Sequence, residues 1–170
     1  MTKDRIKLAV NYLLFQTGWF LCVVGTDSIA LYVTCTILFI HFITIGNWRE
    51  EKETLAVCLL LGSAVDSFLG NLDILQFNND GRILPVWLAC IWVLLGTTIK
   101  HSLSWVGKNR YIGALLGFIG GPAAYVGMAQ LTDMHLAEPL WQTLLILAIL
   151  WAIIIPLLQA FSQAWQKRLG

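Results

Sequence analysis

Residues 140–161 read LWQTLLILAILWAIIIPLLQAF, without one charged side chain. A helix that crosses the hydrocarbon core of a bilayer needs about 20 mostly apolar residues, and this stretch supplies them. Working outward from it, five more windows of the same kind appear, at about 7–24, 28–46, 54–70, 84–104 and 111–130. The six cover most of the 170 residues, and the short segments between them hold most of the charge. The sequence therefore predicts an all-α membrane protein, a six-helix transmembrane bundle built as one polytopic domain over 1–170. Composition agrees: 58% of residues are hydrophobic and 12% charged, with a mean hydropathy of +0.72. A soluble domain carries about 25% charged residues, and this chain has too few to cover a water-facing surface. The same values exclude disorder. A formal charge of +1 leaves no basic face for nucleic acid.

Orientation follows from the basic residues, which concentrate in cytoplasmic loops. Lys3, Arg5 and Lys7 precede the first span, and Arg49 and Lys52 separate the second from the third. Lys100, Lys108 and Arg110 lie between the fourth and fifth, and Lys167 and Arg168 follow the sixth. Only Arg82 falls on the other side, beside Asp27, Asp73, Asp80, Asp133 and Glu138. Both termini are thus expected in the cytoplasm. The basic start of the chain resembles a secretory signal, but Asn11 and Gln16 interrupt the apolar run, so a retained helix is expected.

Little of the usual catalytic vocabulary is present. Cys22, Cys35, Cys58 and Cys90 fall inside spans without paired spacing, and His41, His101 and His135 occupy three different segments. No metal site, catalytic residue or cofactor is expected from them, and the chain reads more as a non-enzyme than an enzyme. The informative residues are polar groups inside the spans, because lipid offers them no partner. Asp66 is the carboxylate well inside a predicted span. Gln16 and Trp19 share one helix face three residues apart; Asn71 closes the third span, Pro85 and Trp87 open the fourth, and Tyr125 lies in the fifth. Gln16, Trp19, Asp66, Asn71, Trp87 and Tyr125 all map to the middle or extracytoplasmic half. They are the candidate ligand-binding set, around a cavity open to the outer face. Capping or pairing inside the bundle would account for the same residues without a ligand.

Gly113, Gly117 and Gly121 form overlapping GxxxG steps, a helix-packing ridge, and Gly62, Ser63, Ser67 and Gly70 form another. Spans three and five are expected to pack through them. Gly120-Gly121-Pro122 is expected to break or kink the fifth helix.

The set Asn11-x4-Gln16-x2-Trp19, Asp66, Pro85-x-Trp87 and Gly121-Pro122-x-Ala124-Tyr125 resembles an uncharacterised bacterial inner-membrane family, domain of unknown function family 2878. The resemblance covers essentially the whole chain and implies a multi-pass protein of the bacterial inner membrane, without an established activity. Six spans at this length, with Gly62-x3-Asp66 in the third, are also similar in architecture to two other groups. These are the substrate-binding subunits of energy-coupling-factor transporters and the rod-shape protein MreD.

Three roles are compatible with this reading. The first is binding or transport of a small amphipathic molecule or membrane lipid in an extracytoplasmic cavity. The second is a scaffold that docks a membrane-protein partner through its glycine ridges. The third is an intramembrane lipid-modifying enzyme with Asp66 and Tyr125 as acid and base.

Overall fold

A computed structural model describes residues 2–77 and 84–169 of the chain; Asp80 and Arg82 lie outside the described residues. Six α-helices follow one another: α1 (Thr2–Val24), α2 (Asp27–Thr44), α3 (Trp48–Asn71), α4 (Val86–Ile99), α5 (Arg110–Leu131) and α6 (Leu140–Leu169). Five of them are long and apolar enough to cross a membrane; α4, with 14 residues, is shorter. Two short strands, β1 (Leu75–Gln76) and β2 (His135–Leu136), pair antiparallel. A 3₁₀ turn, Ser104–Lys108, precedes α5.

Side-chain bonds show that the helices alternate in direction. His41 near the end of α2, Glu51 at the start of α3 and His101 just after α4 meet at one end of the bundle. Gln163, late in α6, reaches the carbonyl of Gly107 there as well. We call this the terminal end, because α1 begins and α6 finishes there. At the distal end β1 pairs with β2, and Asp27 at the start of α2 accepts from the backbone N–H of Trp87 at the start of α4.

Helix α4 is the centre of the molecule. It packs against α1, α2 and α3, and from Leu88 to Ile99 nearly every residue is buried. The surrounding helices turn large apolar side chains outward, including Tyr32, Phe39, Leu60, Leu115 and Ile153. Exposure on this scale is a liability in water and ordinary against lipid.

Several boundaries differ from the sequence expectation. The fourth helix was expected to reach 104, but it stops at Ile99. Thr97 and Thr98 turn their hydroxyls back to the carbonyls of Leu94 and Leu95, the N–H groups of His101 and Leu103 close onto Thr98 O, and the chain tightens into the 3₁₀ turn. Carbonyls released by this turn are not left bare: Gln159 of α6 donates to Ile99 O and Leu103 O, and Asn11 of α1 donates to Thr97 O. Helix α3 begins before the expected 54, capped by the Asn47 side chain accepting from the Arg49 N–H. Helix α5 continues through Pro122 without a break; one missing N–H does not end a helix that is packed along its length.

The glycine ridges meet different partners from those expected. Spans three and five do not pack through them. The ridge on α5 faces α6, where a Cβ on Gly117 would lie 2.1 Å from the backbone oxygen of Trp151, and one on Gly121 would lie 2.2 Å from its ring. Gly62 of α3 lies against α4, with a Cβ position 1.9 Å from the Trp92 ring. Glycine spacing states that a backbone comes close; it does not state whose.

Candidate functional site

Two residues singled out from the sequence meet directly. Tyr125 of α5 donates its hydroxyl to Asp66 Oδ1 of α3 at 2.5 Å, and Trp92 of α4 donates its indole N–H to Asp66 Oδ2 at 2.6 Å. Asp66 and Tyr125 are almost fully buried. Trp151 of α6 completes the group, stacked on Trp92 at 4.9 Å between ring centroids and edge-on to Tyr125 at 6.2 Å. One carboxylate thus joins three helices, and the two tryptophans provide the apolar packing. Trp92 and Trp151 lie well inside α4 and α6, away from the helix ends where interfacial indoles sit. Their depth is explained by this cluster.

Asp66 does not itself line an open space. The hydroxyl and indole that bind it form part of the wall of a groove of about 370 Å³, lined by residues of α1, α4, α5 and α6, including Gln16, Trp19, Trp92, Gly120, Tyr125 and Trp151. The lining is almost entirely apolar, with Gln16 as its one polar side chain whose amide is not engaged elsewhere among the bonds of the described residues. Gln16 and Gly120 are exposed at the mouth, which faces sideways, where lipid would lie. The volume is in the range of small-molecule sites, about 300–1,000 Å³.

A second hollow, about 660 Å³, opens at the distal end. Val23 and Val24 of α1, Asp27, Pro85, Trp87, Gln130 and Asp133 line it. The walls of groove and vestibule follow the same helices: Phe15, Gln16 and Trp19 give way along α1 to Val23 and Val24, and Ala124 and Met128 along α5 to Gln130 and Leu131. An apolar trough along α1 and α5 therefore leads toward a polar mouth.

The six candidates separate accordingly. Gln16, Trp19 and Tyr125 line the groove, Asp66 holds its wall from behind, and Trp87 lines the vestibule. Asn71 lines neither: it is exposed, and its amide donates to the Ser67 carbonyl one turn back in α3. Gly117 and Gly121 serve two purposes, close packing on α6 and absence of bulk in the groove. Gly113 and Pro122 do not line it.

A further polar cluster escaped the sequence reading. Glu51, buried in the first turn of α3, accepts from His41 Nε2 at 2.8 Å and His101 Nε2 at 3.0 Å, and from the backbone N–H of Asn47 at 2.8 Å. Asn11 lies beside it, donating to Thr97 O and accepting from Ser102 N, both at 3.1 Å, with Nδ2 3.5 Å from His41 Nδ1. The hydropathy window excluded Glu51 because its neighbours Glu50, Lys52 and Glu53 are charged. The usable signal was Asn47, a helix cap that puts position 51 inside a helix. His135, in β2, is remote from this cluster at the distal end.

Residues 8–157 match the family described as Protein of unknown function (DUF2878), and the chain belongs to that family. No curated protein and no solved structure was found to be similar to it.

Proposed function

We propose that the chain is an integral membrane protein that takes an amphipathic molecule or lipid from the outer leaflet of a bacterial inner membrane into the groove between α1 and α5. The observation that carries this reading is the succession of two unlike spaces along the same two helices, α1 and α5. An apolar trough opens toward lipid, and a polar vestibule opens at the end away from the basic residues. A tail drawn from the leaflet exchanges one apolar surrounding for another and gains no hydrophobic transfer energy, so the trough holds it by close packing, Gln16 meets the first polar atoms, and the vestibule leaves the head hydrated. Asp66 contributes from behind the wall, by fixing the orientation of Tyr125 and Trp92. The reading places the vestibule outside the cell, supported by the basic residues gathered at the terminal end.

Gly120 supplies the test. A Cβ added there meets nothing within 4 Å, yet the residue lines the groove. Gly120→Leu fills the space without disturbing a packed contact. Purified protein should bind a fluorescent single-chain lysophospholipid, and Gly120→Leu should weaken that binding at least tenfold with the melting temperature unchanged. Equal binding by wild type and variant would refute the assignment.

A further inference from the structure

We propose that His41, Glu51 and His101 form a binding site for a divalent first-row transition-metal ion of the zinc type, at the terminal end of the bundle. Two imidazoles and one carboxylate are a nitrogen and oxygen donor set such ions take, with a further position left for water. The three come from separate elements, α2, α3 and the turn after α4, and one ligand atom from each lies within 4.8 Å of the others. The same ring atom, Nε2, of both histidines points at one carboxylate.

The surroundings are built as a site. The Asn47 N–H holds Glu51 Oε1 at 2.8 Å, the kind of outer bond that orients a ligating carboxylate. Gly46 keeps the space above the ligand atoms clear: a Cβ there would stand 2.3 Å from His41 Nε2 and 2.9 Å from Glu51 Oε1. His41 and Glu51 are sealed from solvent, whereas the His101 side chain is 16% exposed, so an ion reaches the site past His101.

Ion binding carries a structural consequence. Without the ion, each Nε2 can donate a proton to Glu51; with it, both Nε2 atoms bind the cation, and each neutral imidazole carries its proton on Nδ1. On His41 that proton faces the amide of Asn11. Asn11 must then turn its oxygen toward His41, giving up its bonds to Thr97 O and Ser102 N. Those bonds hold the turn that ends in Leu103, a residue of the groove wall. Metal loading thus loosens residues 97–103.

The test uses untagged protein in detergent, stripped with chelator and titrated with Co²⁺. Wild type should bind one Co²⁺ per chain, with visible d–d bands abolished by one equivalent of Zn²⁺, and amide exchange should rise at Ser102. His101→Ala, at a partly exposed turn, should keep its helical content and lose at least about a hundredfold in affinity; Glu51→Gln should do the same. Absence of Co²⁺ uptake by wild type would overturn the assignment, as would unchanged affinity in His101→Ala. Histidine resonances that titrate with pH but ignore Zn²⁺ would also overturn it, leaving a proton site only. Lysophospholipid binding by the chelator-stripped protein tests the groove without the ion, so failure here is distinguishable from failure of the groove.

Discussion

Asp66 commits both carboxylate oxygens to donors inside the bundle, Tyr125 and Trp92, and no cation pairs with it among the described residues. Its removal leaves a buried hydroxyl and a buried indole N–H without a partner. Each such donor costs about 1–3 kcal/mol, although hydrogen bonds between membrane helices average only about 0.6. With two donors orphaned, at the membrane average or the low end of the buried-donor range, Asp66→Ala should destabilise the protein by about 1–2 kcal/mol. Asp66→Asn, whose oxygen can accept from the indole and whose amide can donate to the Tyr125 hydroxyl oxygen, should cost less than about 1 kcal/mol. Reversible unfolding of the two variants in mixed micelles measures the difference, and equal losses would show that the two donors find other partners. The importance of Asp66 was legible in the sequence, since a lone carboxylate in a span requires partners. Its indole partner was not, because nothing in a one-dimensional pattern turns Trp92 toward Asp66 rather than toward lipid. Glu51 shows the converse: its charged neighbours concealed a buried position.

At the scale of helices, two glycines three residues apart on α5 behave oppositely. A Cβ at Gly117 would meet the backbone oxygen of Trp151 at 2.1 Å, and one at Gly120 meets nothing. Backbone cannot move aside as a side-chain tip does, so Gly117→Ala forces α5 away from α6 and costs about 1–3 kcal/mol, the usual range for overpacking. Gly120→Ala should be neutral or slightly stabilising, since alanine is the better helix former by about 1 kcal/mol. Thermal melts of the two alanine variants in one detergent check the contrast, and similar melting temperatures would contradict this packing of α5 on α6. The sequence shows the glycine spacing on α5, but the neighbour expected for it was α3, whereas α6 lies there. Spacing encodes which face of a helix is smooth; the choice of partner depends on the complementary surface, here the backbone beside Trp151.

For the molecule as a whole, the length of α4 decides where a cavity forms. Its 14 residues span about 21 Å, against about 33 Å for the 22 residues of α5. A short central helix among longer ones leaves a hollow at an end, and the vestibule is bounded by Pro85 and Trp87, where α4 begins. The sequence shows the apolar run of the fourth span ending at Ile99, before Lys100, His101 and Ser102, but it does not show that a short helix here borders a hollow. Which compartment the hollow faces is set by charge. Lys7, Arg49, Lys52, Lys100, Lys108, Arg110, Lys167 and Arg168 belong to the terminal end, and Asp27, Asp73, Asp133 and Glu138 to the distal end. Eight basic side chains on one side should hold that end in the cytoplasm. A cysteine placed at exposed Asp133 should react with a membrane-impermeant maleimide in intact cells. One at Lys108, also exposed, should react only after the membrane is permeabilised. The reverse pattern would turn the vestibule toward the cytoplasm and move the captured amphiphile to the inner leaflet, with the groove itself unchanged.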